Sequence, residues 1–341
     1  MAQINKPSDY FNTLLYTGNS TARSITGVGF APDFVWLKDR TRVEENCLWD
    51  TVRGATKNLI SNRTNVESTE ANGLTAFGSD GFSLGSEALT NYNNDEYASW
   101  NWKAGGSASS NSNGTITSSV SANTDAGFSI VSYTGNGGST PKTVGHGLGV
   151  APKMIIIKPT NLTYDWMTYN ENVGATKGMC LNTTQAPFTS SNFNDTAPTT
   201  SVFSVKNNAT NETNGNYIAY CFAEKQGYSK FGSYTGNGNA DGTFVYTGFK
   251  PAFVMIKKTS GTSNWTIWDS VRQSNEINKP LWGDLNSAEA AQSTVKLDLL
   301  SNGFKIRGNG SNVGSSGGSY IYMAFASNPL VTSTGVPATA R

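Results

Sequence analysis

The residues of this chain whose types suit catalysis are few and scattered. His146 is the only histidine, so any Ser-His-Asp or Cys-His arrangement has to use it. Its setting, Gly145-His146-Gly147, reads instead as a water-exposed turn with no counterpart elsewhere in the chain. Cys47, Cys180 and Cys221 are an odd number without C-x-x-C spacing, which implies neither a disulfide framework nor a zinc site. No metal and no cofactor is called for. The run Asn91 to Glu96 is rich in oxygen ligands but lacks EF-hand spacing, so calcium binding has little behind it. Glycoside hydrolysis needs only two carboxylates, and the 24 acidic residues keep a glycan depolymerase as the third of three functional readings. Asp50 and Arg53 reappear as Asp269 and Arg272 while Asn170 holds the place between. A carboxylate that one copy replaces suits a local ion pair better than catalysis.

Aromatic side chains are stronger candidates for binding, because sugar rings present apolar C–H faces that stack on indole and phenol. Trp100, Trp102, Trp265, Trp268 and Trp282 are the candidate contacts for glycan or a protein partner. Core packing competes for them and takes Trp36. A net charge of +1 from 25 basic and 24 acidic residues, spread without blocks, leaves no electrostatic footprint for nucleic acid. The apolar run needed for membrane insertion is missing. The first ten residues, with Lys6, Pro7 and Asp9, lack the apolar centre of a signal peptide. A hydrophobic fraction of 37%, with 8 Trp, 14 Tyr and 16 Phe, excludes disorder.

The elements that must position these residues come in three copies. Each opens on Tyr-Thr-Gly-Asn, at Tyr16 to Asn19, Tyr133 to Asn136 and Tyr234 to Asn237. A Gly-x-x-Pro element and an apolar run ending in Lys38, Lys158 or Lys257 follow. Next come Trp49-Asp50, Tyr169-Asn170 and Trp268-Asp269, then a Phe-x-aliphatic segment, then an aromatic closing run, Tyr97 to Trp102, Tyr217 to Phe222 and Tyr320 to Phe325. Short runs rich in Val, Ile, Phe, Tyr and Trp between turn formers read as strands. Met154 to Ile157 suits a strand buried on both faces, and Tyr97 to Trp102 one with a single covered face. The three lysines read as strand ends turned to water, and Ser287 to Leu300 as the best helix candidate.

The fold expected is all-β, three tandem β-sandwich modules of jelly-roll or lectin-like type, each with its own core. The boundaries are an N-terminal arm 1–10, module one 11–104, a Gly/Ser/Asn-rich linker 105–125, module two 126–224, module three 230–327 and a C-terminal tail 328–341. The first two copies stand further apart than the last two, and the excess falls in 105–125, whose composition reads as a flexible spacer. Module one is then expected to sit apart and modules two and three to pack closely.

Asp9-Tyr10-Phe11 leading into Tyr16 to Asn19, Gly27 to Lys38, Asp50 to Lys57, Ser79 to Gly85 and Trp100 to Gly106 resemble repeat modules of virion structural proteins from marine tailed phages such as cyanophages. Module three departs from that pattern, lacking Gly-Ala-Thr-Lys after Arg272 and the tryptophan-rich closing strand. The resemblance implies a non-enzymatic virion protein, made in the host cytoplasm. It implies a tail fibre or surface appendage that contacts host surface glycan, or a capsid decoration or knob protein on the head lattice. Other virion proteins of head or tail are the implied partners, with homo-oligomeric or lattice-bound copies. It supplies no catalytic residues.

Overall fold

The computed structural model describes residues 3–137 and 140–336. Residues 1–2 of the arm, 138–139 of the second copy and 337–341 of the tail lie outside the described residues. The chain is all-β and its named strands pair antiparallel.

Each copy contributes a large and a small sheet. In the first, the large sheet runs Phe11–Thr17, Glu96–Trp102, Phe34–Asp39, Asn46–Asp50, Lys57–Ile60, Ser68–Thr69, and the small one Arg23–Thr26, Gly81–Leu84, Leu74–Gly78. The same order recurs in the second copy from Phe128–Thr134 to Phe188–Thr189, and in the third from Ser229–Thr235 to Leu281–Trp282. The Tyr-Thr-Gly-Asn marker has a packing cause. Tyr16 stacks on Tyr97, Tyr133 on Tyr217 and Tyr234 on Tyr320, each pair with ring centres 5.0 Å apart. Their hydroxyls donate to Thr90, Thr210 and Val313 carbonyls at 2.6–2.7 Å. The glycine that follows admits no side chain, since a Cβ on Gly18 would lie 2.0 Å from the Tyr92 carbonyl oxygen.

Between the large and small sheet of each copy lies an apolar core: Ile25, Leu37, Trp49 and Phe82 in the first, Val144, Ile157 and Phe203 in the second, Val254, Trp268 and Phe304 in the third. That is a β-sandwich in each case. A fourth core joins all three. The opposite faces of the large sheets meet there, with Phe34, Trp36, Trp100 and Trp102 from the first copy, Ile156, Trp166 and Phe222 from the second, and Phe253, Trp265 and Phe325 from the third. The first copy therefore does not sit apart, and the copies do not close only cores of their own. Glu96–Trp102 is covered on both faces rather than one, because neighbouring copies take the side that a lone sandwich leaves to water.

Two further expectations are corrected. The tract 105–125 is no spacer: Ser109–Asn111 and Ser118–Asn123 are strands that extend the second large sheet through Phe128–Thr134. Ile116 and Val120 bury in the second core, and the small residues serve close approach, a Cβ on Gly105 falling 2.4 Å from the Ala122 carbonyl oxygen. Ser287 to Leu300 forms no helix. Residues 283–296 carry no regular structure, and Leu297–Leu300 is a strand. Glu289 anchors the segment through ion pairs to Arg40 at 2.7 Å and Arg272 at 2.5 Å, bonds across the chain that a local periodicity does not foretell.

Candidate functional site

All five tryptophans proposed as contacts are buried. Trp100, Trp102 and Trp265 belong to the shared core, Trp268 and Trp282 to the third sandwich. No glycan on the outside of the chain reaches them, and the core reading wins because burying an indole recovers a large apolar area. Two of them also bind across copies through their ring N–H. Trp100 Nε1 donates to Asp269 Oδ2 at 3.1 Å, and Trp265 Nε1 to the Cys180 carbonyl at 3.0 Å.

The residues suited to chemistry are occupied in the same way. Lys38, Lys158 and Lys257 do not face water but are fully buried. Each ammonium donates to a carbonyl of its own copy and one of a neighbour. Lys38 reaches Asn286 at 3.3 Å, Lys158 reaches Thr64 at 3.2 Å and Lys257 reaches Thr184 at 2.9 Å. The contacts thus run first to third, second to first, third to second, in one cyclic sense. Desolvation pushes all three pKa values down to about 8, against the opposing pull of nearby carboxylates. Asn46, Trp166 and Trp265 repeat the cycle at another level, donating to the carbonyls of Trp282, Ile60 and Cys180 at 2.9–3.0 Å.

Asp50–Arg53 and Asp269–Arg272 are local ion pairs of 2.6 and 2.5 Å, buried at the contacts between copies. Tyr220 of the second copy donates to Asp50 at 2.8 Å, as Trp100 of the first does to Asp269. At the third contact Asn170 replaces the acid, Val173 the arginine and Met323 the donor. The three changes belong together: without the guanidinium a buried carboxylate has no partner, and without the carboxylate the phenol or indole has no acceptor.

His146 is buried, not exposed. Its Nε2 lies 3.1 Å from the Thr199 carbonyl and its Nδ1 accepts from the Leu148 N–H at 3.2 Å, and burial lowers its pKa. Burial pushes the Cys47 and Cys180 thiols up to about 12 and raises Cys221 as well, which removes the thiolate that reactivity requires. In the oxygen-rich run, Asn91 donates to Thr21 and Gly85 carbonyls at 2.7 Å and Asp95 pairs with Arg42. Among the described residues no cluster of three or more His, Cys, Asp or Glu is placed to hold a metal.

What sequence reasoning missed is on the outer face of the third small sheet. Phe244 and Tyr246 are 43% and 58% exposed, with Val245 between them turned into the core. Pairing with Gly81–Leu84, Val202–Val205 and Gly303–Ile306 aligns them with Ser24 and Thr26 in the first copy and Thr143 and Gly145 in the second. Setting the copies against one another at this strand, rather than at the shared markers, exposes the difference. Tyr246 also walls a surface groove of about 840 Å³ with Lys153, Glu224, Gln226, Lys230 and Leu330.

Fold and contacts together define a protein of internally repeated β-sandwiches closed around a common core. The chain belongs to the family described as a domain of unknown function, DUF7483, whose model matches residues 6–329. No curated protein and no solved structure matches it.

Proposed function

We propose that the protein is a non-enzymatic structural component of a tailed-phage virion, a tail-fibre or surface-appendage protein that contacts host surface glycan. The observation that carries this reading is the common core. Each of the three copies spends one buried lysine and core tryptophans on holding its neighbours, two of the three contacts add a buried Asp–Arg pair, and the small sheets remain as outward contact surfaces. Such a body multiplies surface without needing reactive groups, and several weak contacts add avidity when geometry permits. The resemblance to phage repeat modules supplies the setting: made in the host cytoplasm, resident in the virion, with head or tail proteins as partners.

A capsid decoration or knob protein on the head lattice is the second reading. The cyclic contact pattern favours it, because a compact body with three related faces suits a threefold or locally threefold position of a lattice. Mass spectrometry and cryo-microscopy of purified particles test both. The protein is expected at a fixed copy number per particle, its position on head or tail selecting the reading. Abundance in infected cells with absence from virions overturns both.

A further inference from the structure

Phe244 and Tyr246 leave the same side of one strand, about 7 Å apart as i and i+2 residues. The neighbouring strand places Gly303 opposite Tyr246, so no side chain crosses to cover the phenol, and Lys305 opposite Phe244. The first two copies put Ser24 against Ser83 and Thr143 against Ser204 at the Phe244 position. Small hydroxylated residues are therefore sufficient for this face of the scaffold. At this strand position only the third copy carries two large rings, each left about half exposed, and exposed aromatic surface marks contact.

The charges around the rings are matched. Lys230 pairs with Glu224 at 2.7 Å and Lys153 with Glu171 at 2.5 Å along the groove. Lys305 pairs with Asp241 at 2.5 Å and Arg307 with Asp298 at 2.6 Å on the sheet. The surface thus offers aromatic faces, the Gln226 amide, and paired groups that both donate and accept, these four cations each matched by a carboxylate. Uncharged sugars fit this set: C–H faces on the rings, hydroxyls donating to carboxylates and accepting from ammonium and amide groups.

We propose that the third copy alone carries a binding site for a neutral polysaccharide chain, which lies across Phe244 and Tyr246 and enters the groove behind Tyr246. This rests on the glycan-contact reading above and gives it a place and a ligand class. The test is calorimetric titration of the full chain with maltoheptaose, cellohexaose and laminarihexaose, with an alginate oligosaccharide as acidic counterpart. The variants are Phe244→Ala and Tyr246→Ala, with Thr26→Ala as control at the matching position of the first copy. At least one neutral sugar is expected to bind and to weaken about tenfold on loss of the Tyr246 ring, with Thr26→Ala unchanged and all melting temperatures preserved. Preference for alginate, absence of neutral-sugar binding, or binding indifferent to Tyr246→Ala overturns the proposal. In the last case glycan contact survives elsewhere on the chain. If a capsid or tail protein instead binds the exposed edge strand Phe244–Tyr246, weakened by Tyr246→Ala, and no sugar binds, the site is a protein contact and the proposal falls while the virion reading stands.

Discussion

Replacing Arg53 by valine, the residue that the second copy carries at that place, tests the logic of the contacts between copies. Asp50 is fully buried. Arg53→Val removes its 2.6 Å partner and also the donor to the Lys57 and Leu48 carbonyls, both at 2.9 Å. Stranding a buried charge costs about 3–5 kcal/mol. The residual bonds to Asp50, from the Val52 and residue-53 backbone N–H and the Tyr220 hydroxyl, hold the loss toward the lower end. Asp50→Asn with Arg53→Val reproduces the Asn170 and Val173 pair. It removes the stranded charge, keeps Oδ1 as acceptor for the two backbone N–H groups, turns an amide N–H toward the Tyr220 hydroxyl so that the phenol accepts there instead of donating, and leaves two carbonyls short of a donor, at about 1–2 kcal/mol. The double variant is therefore expected to be more stable than Arg53→Val alone by about 2 kcal/mol, a coupling well outside additivity. Urea unfolding at pH 7, with the slope checked for each variant, reads it. A cost below about 1 kcal/mol for Arg53→Val, or a double variant no better than the single, refutes the reasoning.

Three other outcomes follow from the same contacts. The buried lysines, with pKa values of about 8 against 10.5 for the free side chain, bind fewer protons folded than unfolded above pH 8, so stability rises between pH 8 and 9. Unfolded-state thiols reverse the trend above pH 9, and Lys158→Met flattens the rise in pH-dependent urea melts. Asp284 aligns with Asn62 and Asn182, and each of the three accepts a backbone N–H at 2.9–3.0 Å. Burial lifts its pKa to about 7, so stability declines as pH rises from about 4 to 7, and Asp284→Asn raises the melting temperature at pH 7.5 and lessens that decline, to which Asp33 and Asp39, also raised by burial, contribute the rest. Because one core spans all three copies, scanning calorimetry shows a single transition, and the three thiols react with an aromatic disulfide reagent only through it; a separate early transition of any one copy contradicts the shared core.

The sandwich was legible in the sequence because strand signals are local. Tyr-Thr-Gly-Asn, the run Phe34 to Lys38 and the closing aromatics each follow from pairing within one copy. The common core was not legible, because it is written in relations between copies. A buried Lys38 and a solvent-facing strand-end lysine look alike until the carbonyl of Asn286 is brought to it. The tryptophans were misplaced for the same reason: a single sandwich has an outer face, and this one lies against its neighbours. The tract 105–125 misled by composition, since serine and glycine serve tight backbone approach as readily as flexibility. Phe244 and Tyr246 are not legible from the shared markers, because they stand where one copy departs from the other two.

The cyclic contacts carry a consequence for behaviour at low abundance. Three separate sandwiches making the same bonds would assemble with a strength that depends on their concentration, and would come apart on dilution. Here the partners are tethered on one chain, so each meets its neighbour at an effective concentration set by the connections. The body therefore stays whole at any dilution of the chain. The same covalent joining lets one position change without changing its two equivalents, as Met323 and Tyr246 have done, so the body keeps the rigidity of a trimer while pointing one distinct face at whatever it meets.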